Sequence, residues 1–129
     1  MTHVGIDAVE IIRFHQWHTY TAQKLSRIYT FKEIAYCLQD SAYAAQRFAT
    51  RFAAKEAFYK AISPLLKKPL PFLIICKEVE IVNDPHGYYP RIFCNWEKFS
   101  ISYYIQASCS LTHTKTTAIA IIILTDDQK

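Results

Sequence analysis

Glycine is nearly missing from this 129-residue sequence, which has only Gly5 and Gly87. A loop that cradles phosphate with its backbone needs several glycines in close order, so glycine-rich nucleotide-binding motifs are excluded. The four cysteines, Cys37, Cys76, Cys94 and Cys109, form no C-x-x-C pair. Zinc and dithiol redox sites are therefore disfavoured, and free thiols in a reducing compartment are expected. The opening MTHVGIDAVEII carries Asp7 and Glu10 and lacks the basic start and long apolar run of a secretory signal. The longest apolar run, residues 118–124, is too short to cross a bilayer. No membrane association is expected, and the reading is a soluble cytoplasmic protein. The formal charge of +4 is not the dense basic stripe of a nucleic-acid binder. It favours an acidic macromolecular partner or a phosphorylated ligand.

What is abundant is apolar and aromatic: 51% of residues are hydrophobic, with nine tyrosines and eight phenylalanines. That suffices for one domain, residues 1–129, with a real core, and oligomerisation would help so short a chain. Residues 4–12 are rich in β-branched side chains and predict a strand; residues 13–26 predict a helix, irregular near 19–21. Thr30 with Glu33 three residues on is a capping-box pattern for a helix to about residue 38. Residues 41–62 lack Gly and Pro and predict the longest helix. Pro64, Pro69 and Pro71 predict a loop, followed by strands over 79–82 and 88–94 around an Asn83–Gly87 turn. Residues 96–104 are ambiguous between helix and strand. Residues 106–113 alternate as a half-buried strand, and 118–124 read as a buried one. The fold class is α+β: a mostly antiparallel sheet packed on one long helix.

Three places carry charge or polarity where apolar residues are expected. On a helical wheel Ala45, Phe48, Ala49, Phe52, Ala53 and Ala57 share one face of the long helix, and Glu56 and Lys60 fall within it. This is either an i,i+4 ion pair at the edge of the core or a site for a ligand or metal. Arg51 and Lys55 fall on other faces and, taken alone, are expected in solvent. Asp7 interrupts a strand-forming segment, facing solvent or serving a site, and Gly5 before it suits a close approach of another group. Ser110, Thr112 and His113 form a polar strand face or a binding edge; no G-x-S-x-G elbow supports a hydrolase triad. Together these supply two carboxylates, a lysine, a histidine and two hydroxyls. Two carboxylates with waters and a substrate phosphate suit Mg²⁺, and cations suit the remaining phosphate charge. The implied chemistry is transfer at a pyrophosphate.

Five segments resemble the holo-acyl-carrier-protein synthase family of 4′-phosphopantetheinyl transferases. They are GIDAVEI with Arg13; RIYT with Glu33, Tyr36 and Cys37; RFAAKEAF from Arg51 with Lys60-Ala61; VEIVND with Gly87; and SLTHTK from Ser110 with Ala118 and Ala120. The resemblance implies a compact α+β domain assembling as a homotrimer with active sites between subunits. It implies transfer of phosphopantetheine from coenzyme A to a serine of an acidic acyl carrier protein, leaving adenosine 3′,5′-bisphosphate. By motif, Asp7 and Glu56 would bind Mg²⁺ on the pyrophosphate and Lys60 would contact the transferred phosphate. Arg51 and His113 would bind phosphates of coenzyme A, with Ser110 and Thr112 lining the same cleft. Arg13, Lys24 and Arg27 would meet the carrier. Glu56, directly or through a water, is the candidate base. A non-catalytic module of the same fold, binding a carrier protein or coenzyme A, is the alternative. The chain departs from the family pattern at residues 62–69, ISPLLKKP, where a glycine-rich turn is usual, and at His15, Trp17 and His18, where arginine is common.

Overall fold

A computed structural model describes residues 1–127 except residue 88. The chain opens with β1 (Thr2–Glu10), followed by 3₁₀ turns at Ile11–Phe14 and Trp17–Thr19, then α1 (Ala22–Leu25) and α2 (Phe31–Leu38). After a 3₁₀ turn at Ser41–Tyr43 comes α3 (Ala44–Ile62). A further turn at Ser63–Leu65 leads to α4 (Phe72–Glu78), β2 (Val79–Asn83) and β3 (Pro90–Cys94). A last 3₁₀ turn, Trp96–Phe99, precedes β4 (Ile105–His113) and β5 (Thr117–Asp126). The expected α+β class is observed. The start of the strand expected at residue 88 lies outside the described residues.

Strand β5 is central in an antiparallel sheet of order β1-β5-β4, while β2 and β3 form a separate hairpin. The hairpin turn uses Gly87 at φ +74°, with the backbone N–H of His86 donating to the Asp84 carboxylate at 3.0 Å. That left-handed position favours glycine. Thr30 caps α2 as its sequence predicts: its hydroxyl accepts from the Glu33 N–H, and the Glu33 carboxylate accepts from the Thr30 N–H.

Helix α3 is the centre of the molecule. It packs on β1, β5 and β4 and also against α2, α4 and β2. Twelve of its nineteen residues are buried, so the expectation of one buried face fails. Its alanines make this possible, because small side chains let backbones approach from several directions. Arg51, 4% exposed, and Lys55, 0% exposed, are therefore not in solvent. Lys55 Nζ pairs with Glu33 Oε1 at 2.7 Å and donates to the carbonyls of Cys76 and Val79 at 2.9 and 3.0 Å. Those bonds tie α2, α3, α4 and β2 together.

Two other expectations need correction. Residues 13–26 do not form a helix beyond the four residues of α1. Phe14, Trp17 and Tyr20 recur every three residues, which matches a 3₁₀ turn and not the 3.6-residue α-helix. This period turns Phe14 and Trp17 inward onto Tyr29, Phe48 and Phe52, with Tyr20 against Trp17; the Phe14 and Trp17 rings lie 4.4 Å apart and Tyr29 and Phe48 5.2 Å. The stretch after the prolines is not all loop, since α4 begins directly after Pro71. The four cysteines are free thiols, as expected.

Candidate functional site

The acidic centre is built by a close approach of β1 to α3. A Cβ on Gly5 would stand 1.8 Å from the Ala57 carbonyl oxygen, so no other residue lets the strand lie this near the helix. Asp7 follows two residues later on the same, inward face of β1. Lys60 reaches across from α3. Its Nζ donates to the Ile6 carbonyl at 2.9 Å and pairs with Asp7 Oδ1 at 3.2 Å. Glu56, one turn earlier, is near enough for its carboxyl to feel both groups. Burial first, and then the Asp7 charge, raise the Glu56 carboxyl above its ordinary range, while Lys60 and Arg13 pull it down. Asp7 Oδ2 is buried and has no hydrogen-bond partner. Asp7 and Glu56 are thus near enough to repel one another, and Asp7 keeps one unsatisfied oxygen.

Arg51, Thr112 and His113 meet elsewhere. They line an open cleft of about 370 Å³ together with Tyr36, Arg47 and Asn83. None of Asp7, Glu56 and Lys60 lines it. Five residues along a helix is about 140° of rotation at 3.6 residues per turn, so Arg51 and Glu56 leave α3 in different directions. Arg51 Nη2 donates to Asn83 Oδ1 at 2.8 Å, and its buried Nε has no partner. Ser110, expected in this cleft, does not line it and is exposed farther along β4.

Lys24 and Arg27 border a separate groove of about 270 Å³, lined by Trp17, Tyr20, Leu25, Ile28 and Leu73. Lys24 Nζ lies 3.9 Å from the centre of the Tyr20 ring. Arg13 is not part of this groove. It is exposed, with its guanidinium 5.9 Å from the Phe52 ring, and its charge reaches Glu56.

The family model described as the 4′-phosphopantetheinyl transferase superfamily, ACPS, matches residues 3–122. The chain belongs to that family. The holo-[acyl-carrier-protein] synthase of Chloroherpeton thalassium is 35% identical over 126 residues, covering 97% of this chain and 98% of the relative. The corresponding protein of Koribacter versatilis is 36% identical over 126 residues, covering 95% and 96%. Among solved structures, Helicobacter pylori holo-[acyl-carrier-protein] synthase in complex with coenzyme A aligns with a TM-score of 0.70 at 31% identity, covering 95% of this chain and 99% of that one. The Chronobacterium ammoniagenes ACPS–CoA complex shares the fold with a TM-score of 0.81 at 24% identity, covering 99% of each chain. The chain is thus a phosphopantetheinyl transferase of the holo-[acyl-carrier-protein] synthase type, as the resemblance implies.

The acidic centre of this transferase fits a hard divalent cation. Asp7 Oδ2 is an orphaned buried oxygen, and a second carboxylate is held beside it despite repulsion. No group of three or more His, Cys, Asp or Glu gathers among the described residues, so a ligand-rich zinc cage is absent from them. Two carboxylates leave positions for waters and a substrate phosphate, the habit of Mg²⁺. No helix among the described residues is long and apolar enough to cross a membrane. Sequence reasoning missed Arg47, Tyr36 and Asn83 as cleft residues. Tyr36 and Asn83 stand inside the segments that carry the resemblance, but Arg47 lies four residues before the central motif and gave no signal of its own.

Proposed function

We propose that the transfer from coenzyme A to an acyl carrier protein runs at a Mg²⁺ centre held by Asp7 and Glu56. The observation that carries this reading is the unsatisfied buried oxygen of Asp7, with a second carboxylate, Glu56, near enough to be repelled by its charge. Mg²⁺ bound there supplies neutralisation of the pyrophosphate and polarisation of the phosphorus under attack. Lys60, anchored on the Ile6 carbonyl, holds an ammonium against the transferred phosphate. Glu56, directly or through a water at the centre, is the group that takes the proton from the carrier serine hydroxyl. The serine oxygen bonds to the phosphopantetheine phosphorus as the pyrophosphate P–O bond breaks, and adenosine 3′,5′-bisphosphate leaves. Arg51 and His113 hold phosphate charge of coenzyme A in the basic cleft, with Thr112 at its side.

Since the acidic centre and the cleft stand apart in one chain, a complete site draws them from neighbouring copies in a homotrimer. The outer face of the three-stranded sheet supports this, because Val4, Ile6 and Ile123 are exposed there. An acidic carrier protein suits the groove, whose apolar floor is bordered by Lys24 and Arg27. Arg13 stands by the acidic centre and meets the carrier at the reacting serine. One domain, residues 1–129, acts in the cytoplasm, where its four thiols stay reduced.

Mass spectrometry of an apo carrier incubated with coenzyme A tests the whole reading. One phosphopantetheine should be added with Mg²⁺ and none after chelation. Asp7→Asn and Glu56→Gln should each slow transfer by at least about 100-fold, since each removes a charged ligand from a charge-stabilising centre. Unchanged transfer by both variants would remove the metal centre from the mechanism. Size measurement in solution tests the trimer, which a monomer with full activity would contradict.

A further inference from the structure

We infer that Arg47, stacked on Tyr36, is a specificity-determining residue that selects a phosphate monoester in the basic cleft. For this substrate the monoester is the 3′-phosphate of coenzyme A. The inference rests on the transferase reading for the identity of the ligand and adds a residue outside the segments that resemble the family.

Arg47 and Arg51 are four residues apart and project from the same side of α3. Their guanidinium carbons lie 4.3 and 4.2 Å from the centre of the same Tyr36 ring. Two like charges are thus gathered on one aromatic platform. Among the described residues neither forms an ion pair with a carboxylate. Arg47 Nη1 donates to the Tyr36 carbonyl at 2.9 Å and to Gln39 Oε1 at 3.3 Å, which fixes the guanidinium plane at the end of α2. Its other nitrogens donate to no described residue. Arg51, almost wholly buried, is fixed by Asn83 and keeps its buried Nε unpartnered. Thr50, Thr112 and His113 complete the polar lining.

Coenzyme A carries two kinds of phosphate. The pyrophosphate must lie where the bond breaks, at Asp7, Glu56 and Lys60. That leaves the 3′-phosphate for the cleft, which those three residues do not line. A phosphate monoester is close to a dianion at neutral pH, whereas each phosphate of a diester or pyrophosphate bridge carries about one charge. Two planar guanidiniums held at fixed angles match a dianion with three free oxygens. Arg51 with His113 would hold phosphate in general; adding Arg47 makes the cleft sensitive to the second charge.

The test is equilibrium binding, by titration calorimetry, of coenzyme A and 3′-dephospho-coenzyme A, whose remaining phosphates are not monoesters, to the intact protein and to Arg47→Gln. The wild type should prefer coenzyme A by about 10-fold or more, and Arg47→Gln should lose most of that preference, the size expected for one charge-assisted bidentate contact. Arg47→Lys keeps the charge and loses the planar fork, so it should give an intermediate ratio. It also keeps the test decisive if the glutamine variant fails to fold. A preference unchanged in the folded variants would overturn the inference, as would equal weakening of both ligands. A mere structural role, capping α2, would lower the melting temperature without changing the ratio. Failure of the transferase reading is a separate result: no wild-type transfer from coenzyme A to any apo carrier, whatever the binding ratio.

Discussion

Lys55 and Glu56 are neighbours on α3, yet one closes a set of bonds and the other opens one. All three ammonium donors of Lys55 are used, by Glu33 and two main-chain carbonyls, and Glu33 in turn accepts from the N–H groups of Thr30 and Ile81. Nothing in this buried cluster is left to bind a ligand. Glu56 faces Asp7, a like charge, and the only described side-chain cation paired with Asp7 is the exposed Lys60. The difference teaches that burial of charge does not by itself mark a site. A complete partner set marks structure, and an incomplete one marks function.

The sharpest way to break this contrast is Lys55→Met. It leaves Glu33 buried with its main cation gone and should cost about 3–5 kcal/mol of folding stability, read by urea unfolding. A loss below about 1 kcal/mol would mean that Glu33 finds another partner and that the closed cluster is not structural. Gly5→Ala comes next. The added methyl meets a backbone oxygen that cannot rotate away, so the expected cost is about 1–3 kcal/mol, with transfer activity falling as β1 lifts Asp7 from α3. Restored activity at full stability would show that the strand need not lie so close.

Glu56→Gln sharpens the other side of the contrast. It relieves repulsion with Asp7, so stability without metal should hold within about 0.5 kcal/mol or rise, even though transfer is lost. Melting as damaged as that of Lys55→Met would put Glu56 in the scaffold. The smallest effect at neutral pH belongs to the cysteines, which burial makes inert without any pairing. Burial pushes the thiols of Cys37, Cys76, Cys94 and Cys109 up to about 12. The folded state keeps them neutral where the unfolded chain ionises. Their contribution is intact below the ordinary thiol range and is lost as pH rises toward 12. Urea midpoints should be level from pH 7 to 8 and decline above pH 9.

Much of the acidic centre was legible in advance. Asp7 in a strand and Glu56 and Lys60 on the central helix violated local patterning, and violations of that kind concentrate at sites. The cap at Thr30 and Glu33 was legible too, because both halves of its hydrogen bonding are local. Lys55 was not, since a helical wheel assumes one buried face and α3 is covered on several. The broken segment before α1 misled for a related reason: Phe14, Trp17 and Tyr20 at three-residue spacing fit a helix loosely and a 3₁₀ turn well. Helix α4 was hidden by the prolines before it and by its length of seven residues. The separation of Arg51 and His113 from Asp7 is a property of directions around α3, which residue order along the chain does not display.

Lys60 grips a main-chain oxygen, that of Ile6, while the Ile6 side chain points to the opposite side of the sheet and is 58% exposed. Position 6 can consequently change its side chain without moving the ammonium. A substitution there is felt on the outward surface, where the proposed trimer packs, and reaches the reacting centre through assembly and not through the grip of Lys60 on the main chain.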